Sequence, residues 1–234
     1  YIFTNTIDNI PDLIFETMSG YTTTGSSIIG DIEALPESII FWRSMTHWLG
    51  GMGIIVLAIA ILPMLGIGGM QLFSAEAPGS GISGDKIHPR ISNTAKRLWF
   101  IYFGLTLLES ILLNIAGMSF FDAINHSMSN IATGGFSTKN DSLSFWNSIP
   151  QVQYIVIFFM ILAGTNFLLI YLSLIGKFKK LFYNTEFIWF LGLIASFVLI
   201  TTVILNTNVD LDSTNFNHPQ VLGKLEASFR HALF

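Results

Sequence analysis

Four long stretches of this chain carry almost no formal charge. Residues 44–75 hold none in 32 positions, 142–176 none in 35, and 187–209 none in 23. Between Arg97 and Asp122 the only charge is Glu109. An α-helix rises 1.5 Å per residue, so about 20 apolar residues cross a bilayer core of roughly 30 Å. The spacing predicts four spanning helices, over 39–65, 98–117, 150–176 and 186–206. Composition agrees, since only 11% of residues are charged against roughly 25% in soluble proteins. The chain reads as an all-α integral membrane protein. A net charge of −4 with no dense basic run excludes a nucleic-acid footprint. Without cysteine there is no disulfide framework and no thiolate chemistry.

The few charges also orient the chain. Lys86, Arg90, Lys96 and Arg97 follow the first span, and Lys177, Lys179 and Lys180 follow the third. With alternating spans these seven of eleven basic residues share one side, which the positive-inside rule makes cytoplasmic. The opposite connections carry Asp8, Asp31, Glu33, Glu37, Asp141, Asp210 and Asp212. They read either as solvated loops or as an anionic outer mouth that concentrates cations. Tyr1 and Phe234 read as the ends of an internal piece of a longer polypeptide.

Two segments between the spans are too short to cross. Residues 11–21 have Pro11 and Asp12 at a helix start, and 119–131 have Ser119 as N-cap with Asp122 in the first turn. Each helix would be about 16–20 Å long. Each runs into small residues, TTTGSS at 22–27 and ATGGFS at 132–137. Irregular backbone at membrane depth is tolerated where it lines a water-filled cavity, so both read as re-entrant pore loops. Residues 12–27 slide onto 122–137 without a gap, with seven identities in sixteen. Gly25 and Gly135 coincide. A third copy begins at His231-Ala232-Leu233-Phe234. Carbonyl rings replace the water shell of K⁺ without fixed charge, and Gly supplies the positive φ that such a turn requires. The negative ends of both short helices point toward the loops, which favours a cation there.

SGYTTTGSS (19–27), FWRSMTHWLGGMGIIVLAIAILPMLGIGGMQL (41–72), the AEAPG…HPRI…TAK run (75–96) and SNIATGGFSTKN (129–140) resemble the TrkH/TrkG/KtrB family of potassium-uptake proteins, the TrkH branch above all. The resemblance implies four M1–P–M2 repeats around one pseudo-fourfold central pore in the cytoplasmic (inner) membrane, with about half of that pore in this chain. On that plan 1–65 is the first pore loop and M2, and 66–97 a cytoplasmic loop. Residues 98–176 form the whole second repeat, and 177–234 the third M1 with the start of its pore helix. The first M1, the remainder of the third repeat with its gating loop, and the fourth repeat lie elsewhere.

The filter residues implied are Thr22, Thr23, Thr24 and Gly25 with Ala132, Thr133, Gly134 and Gly135. They would hold K⁺, the cargo, through backbone carbonyls near the outer face, with no cofactor. The resemblance also implies a homodimer that docks a TrkA-type nucleotide-binding ring. Residues 76–97 and Lys177–Lys180 are its docking candidates.

A less selective K⁺/Na⁺ pathway of the KtrB type is the alternative within transport. From another class, an intramembrane enzyme or assembly subunit would centre on Glu109, the one charge inside a predicted span. Interhelical bonding of Glu109 to His47 or Asn166 is the plainer reading. Arg43 and His47 sit where snorkelling to the outer interface accounts for them. Gly50, Gly51, Gly53 and Gly164 read as close helix-packing positions, with a hinge role as the sharper reading.

Overall fold

A computed structural model describes residues 6, 7, 9–61, 91–208 and 223–234; the side chains of 54–61, 91–96, 168 and 208 lie outside that description. Among the described residues the fold is all-helical. The cytoplasmic-loop residues 66–90, with Lys86 and Arg90, and the acids Asp8, Asp210 and Asp212 fall outside the described residues.

Three helices are long enough to cross a bilayer: α2 (Glu37–Ile61), α3 (Ile91–Ile115) and α8 (Thr185–Asn208). At 24 or 25 residues each, they measure about 36–38 Å. Two are half-length, α1 (Ile10–Tyr21) and α4 (Phe120–Ile131), with 12 residues apiece and about 18 Å. Helix α4 starts as its sequence directs. Ser119 Oγ accepts from the Asp122 amide at 3.0 Å and donates to the Asp122 carboxylate at 2.7 Å.

The predicted span 150–176 is not one helix. It breaks into α5 (Pro150–Ala163) and α6 (Phe167–Leu174). Gly164 caps α5, and α6 restarts from Asn166, whose carbonyl accepts from Leu169. A Cβ on Gly164 would lie 3.1 Å from the Phe190 ring of α8. The break thus falls where the chain has no side chain and a neighbouring ring packs against it. Apolar content alone cannot register such a break.

Short α7 (Phe178–Phe182) follows, and α9 (Lys224–Leu233) packs against α8. Helix α9 contains the His231–Leu233 stretch and begins seven residues before it.

Helix α4 lies among α2, α3 and α5, while α1 rests on α2. Leu113, Met118, Ala123, Trp146, Val152 and Val156 form one buried cluster around the start of α4. Tyr102, Ile131 and Phe159 form a second at its end. The small residues do the close packing that membrane helices require. A Cβ on Gly50 would meet the Tyr21 carbonyl at 2.1 Å, and one on Gly51 the Ala132 Cα at 3.0 Å. One on Gly53 would meet no described atom, so the packing reading holds for the first two positions. Arg97 bonds the Tyr171 hydroxyl, with its guanidinium 5.7 Å from that ring. The basic start of α3 and the lysines after α6 therefore lie at one end of the bundle.

Candidate functional site: two matched loops at the ends of half-length helices

Helices α1 and α4 end in the same way. The Thr22 amide bonds the Met18 carbonyl at 2.8 Å, Thr23 bonds Gly20 at 3.1 Å, and Thr24 bonds Ser19 at 3.0 Å. In the second copy Ala132 bonds Met128, Thr133 bonds Asn130 and Gly134 bonds Ser129, at 3.4, 2.8 and 2.8 Å. Every donor and acceptor sits at the position that the gapless alignment assigns to it.

The dihedrals match as well. Thr23 and Thr133 both have φ of 54°, followed two residues later by Gly25 at 77° and Gly135 at 88°. Positive φ in a β-branched residue is a genuine outlier that only strong surroundings maintain. Here it recurs at the same register in two loops. Alternation of left-handed and ordinary backbone turns successive carbonyls out of a helical or strand pattern, as a cation-lining loop requires.

The loops touch. A Cβ on Gly25 would lie 1.9 Å from the Gly134 carbonyl oxygen, so only glycine fits there. In the first loop the Thr22 hydroxyl bonds Met18 O at 2.7 Å and shares a 2.8 Å contact with Thr24 Oγ1. In the second, Ala132 and Gly134 are buried while Thr133 and Gly135 are exposed. A cavity of about 250 Å³ opens beside that loop, lined by Asn130, Thr133, Gly134, Gly135, Ser137 and Phe234 among others. The structure thus brings all eight predicted residues into two adjoining, similarly folded turns.

Behind the loops lies a scaffold that the sequence reading did not identify. Glu16 and His126 occupy the same slot in the two copies. Ser27 Oγ donates to Glu16 Oε1 at 3.1 Å, and His126 Nε2 lies 3.0 Å from Ser137 Oγ. Each pair ties the half-length helix to the segment of chain leaving the loop. The alignment already set Glu16 on His126 and Ser27 on Ser137, so co-registered unlike residues were the available signal. The Glu16 carboxylate also accepts from the Ile28 amide at 3.1 Å and pairs with Arg43 at 2.9 Å.

Arg43 and His47 correct the expectation of snorkelling. Their relative exposures are 1% and 0%. Both turn inward from α2 because the two half-length helices and their loops carry partners for them: Glu16 and Ser27 for Arg43, Ser129 Oγ at 3.0 Å for His47. Glu109 is equally buried, and its partner is Asn130 rather than His47. Asn130 also donates to Val156 O at 3.2 Å, so this polar set braces the last turn of α4 between α3 and α5.

The connections that follow the two loops are tied too. Asn140 Nδ2 donates to Asp31 at 2.9 Å and Asn140 Oδ1 accepts from the Ile32 amide at 2.7 Å. Lys139 pairs with Glu33 at 3.3 Å. The hydrogen bond from Asn140 holds the Asp31 carboxyl below its ordinary pKa. Asp31 and Glu33 are thus solvent-exposed acids that each have a partner on the other connection.

The TrkH family model, described as a cation transport protein, matches residues 6–217. The chain belongs to the TrkH family. The Trk system potassium uptake protein TrkH of Salmonella typhimurium is 46% identical over 197 residues, covering 84% of this chain and 40% of that protein. TrkG of Escherichia coli K12, also a Trk system potassium uptake protein, is 41% identical over 192 residues, 82% of this chain and 39% of that protein. The crystal structure of the potassium transporter TrkH from Vibrio parahaemolyticus matches with a TM-score of 0.77 and 35% identity. It covers 98% of this chain and 43% of that one. The TrkH-family chain thus spans about 40% of the length of the curated relatives it matches. These relatives are potassium transporters, not enzymes.

Proposed function

We propose that this chain forms part of a potassium-uptake pore in the cytoplasmic membrane. The two matched loops would serve as quadrants of a carbonyl filter near the outer face. The observation that carries this reading is the recurrence of one strained backbone, Thr23 to Gly25 and Thr133 to Gly135, at the ends of two half-length helices. A turn that only connects has no reason to keep a β-branched residue at positive φ twice. Carbonyls in such a turn replace the hydration shell of K⁺, and the helix C-termini add a favourable field.

In this reading the repeats surround one pseudo-fourfold axis, 98–176 being one complete M1–P–M2 unit, and the complete protein works as a homodimer. The exposed Lys177, Lys179 and Lys180 supply a basic surface for a TrkA-type nucleotide-binding regulator. Glu109, already bonded to Asn130, serves the packing of α4 and has no enzymatic task.

The test uses the full-length protein in cells that depend on it for growth at limiting K⁺. Gly25→Asp and Gly135→Asp should each abolish K⁺ influx with the protein still in the membrane. Retained influx and K⁺/Na⁺ preference in Gly135→Asp would sink the filter assignment. Comparing influx with and without the regulator tests the docking surface, and charge reversal at Lys177–Lys180 should remove the difference.

A further inference from the structure

Phe136 follows Gly135 immediately, yet its ring is buried among residues of the other repeat. One face meets the Arg43 guanidinium, whose Cζ lies 4.3 Å from the ring centroid. The ring also stacks on His47, with centroids 3.9 Å apart and planes inclined by 13°. Arg43 and His47 stand one turn apart on α2. The ring edge reaches α1, where a Cβ on Gly20 would come within 3.8 Å of it.

Both residues are themselves fastened. Arg43 Nη2 bonds Glu16 and Ser27 at 2.9 Å. Its Nε and Nη1 find no acceptor among the described residues, and the aromatic face takes that side. A desolvated guanidinium over a ring is a strong form of this contact. His47 holds Ser129 and also underlies the filter loop. A Cβ on Gly134 would be 2.1 Å from His47 Nδ1. The first copy has exposed Ser26 where the second has Phe136, so only one of the two loops sends a ring into its neighbour.

We infer that Phe136, packed against both Arg43 and His47, is a positioning residue that sets the separation of the two adjoining filter loops and thereby the K⁺/Na⁺ discrimination. The inference rests on the filter reading above. The contact between Gly25 and the Gly134 carbonyl is the inner point of meeting, and the Phe136 stack is the strut directly behind it. A carbonyl ring discriminates between cations through cavity size and the number of oxygens it presents. Both depend on where Gly134 and Gly135 stand relative to Gly25.

Reconstituted full-length protein carrying Phe136→Leu, Phe136→Tyr or Arg43→Lys tests this, with K⁺ and Na⁺ fluxes measured separately. Phe136→Leu keeps an apolar side chain but loses the ring, and should lower the K⁺/Na⁺ flux ratio roughly tenfold, mainly through higher Na⁺ flux. Phe136→Tyr retains the ring and should keep the wild-type ratio. Arg43→Lys keeps the charge but not the flat guanidinium, and should shift the ratio in the same direction as Phe136→Leu. It also serves if Phe136→Leu fails to reach the membrane.

An unchanged ratio in Phe136→Leu or Arg43→Lys overturns the inference. So does an equal fall of both fluxes in Phe136→Leu, which marks a purely structural role. Gly135→Asp separates the two readings. If it spares flux, the filter assignment itself fails; if it abolishes flux while Phe136→Leu keeps its ratio, only the strut fails.

Discussion

Asn130 Nδ2 donates to the Glu109 carboxylate at 2.5 Å while reaching the Val156 carbonyl at 3.2 Å, joining α3, α4 and α5 one residue before α4 ends. The Asn130 carbonyl in turn accepts from the Thr133 amide at 2.8 Å, so the side-chain bond braces the residue on which the turn begins. Replacing Glu109 by Ala deprives a buried donor of its better acceptor, at a cost of about 1–3 kcal/mol. We expect Glu109→Ala to lower the thermal unfolding midpoint of the full-length protein while sparing K⁺ influx per folded molecule. Glu109→Gln retains an acceptor and should unfold close to wild type. Loss of influx in well-folded Glu109→Gln would assign the carboxylate a transport role.

Gly25 and Gly135 should respond differently to alanine. Both have positive φ, so each carries about 1–2 kcal/mol of backbone strain when a Cβ is added. At Gly25 that Cβ also falls 1.9 Å from the Gly134 oxygen, whereas at Gly135 it meets no described atom within 4 Å. Gly25→Ala should therefore abolish K⁺ influx, and Gly135→Ala should retain a measurable share. Equal effects would show that the two loops do not touch as described.

Breaking the buried Glu16–Arg43 pair from one side should be costly. Their side chains are 0% and 2% exposed, and removing one partner of such a pair typically costs 3–5 kcal/mol, about what a marginal fold can lose. Glu16→Ala should lower membrane abundance and unfold earlier than Glu16→Gln, whose single amide oxygen still accepts one of the Ser27 and Ile28 bonds. The double replacement Glu16→Leu with Arg43→Met should recover part of the lost stability. Failure of the double variant to exceed Glu16→Ala would argue against an uncompensated charge as the cause.

The latch between these two connections predicts a pH dependence. The hydrogen bond from Asn140 lowers the Asp31 pKa in the folded state. A depressed carboxyl pKa stabilises the fold above the unfolded value, and that stability is lost as pH falls through the folded value. Asn140→Ala should therefore be less stable than wild type at neutral pH, with the two thermal midpoints converging as pH falls below the ordinary Asp value of about 4. Parallel curves across that range would separate the latch from Asp31 ionisation.

Much of the site was legible because it repeats. Seven identities in sixteen residues set Thr23 on Thr133 and Gly25 on Gly135, and the backbone follows that register. The half-length helices were legible from Pro11, Ser119 and Asp122, whose capping preferences are local. The scaffold was less legible, because its partners stand far apart in the chain. Nothing near Asn130 points to Glu109, and nothing near Phe136 points to Arg43. The helix break after Ala163 also escaped, since hydropathy counts apolar residues and is silent on where a ring of another helix presses on Gly164.

By itself, the sequence determined an all-helical chain of the membrane-transporter kind, and where two short helices end in turns rich in Thr and Gly. Those properties follow from charge, length and local backbone preference, and need no distant partner. Tertiary structure alone decided that Arg43 and His47 face inward, that Glu109 serves Asn130, and that Gly25 abuts Gly134. In a bilayer the lipid tails are as apolar as the side chains, so apolar patterning cannot select which helix faces meet. Close packing at Gly50 and Gly51 and buried polar pairs make that selection, and both exist only once the helices have come together.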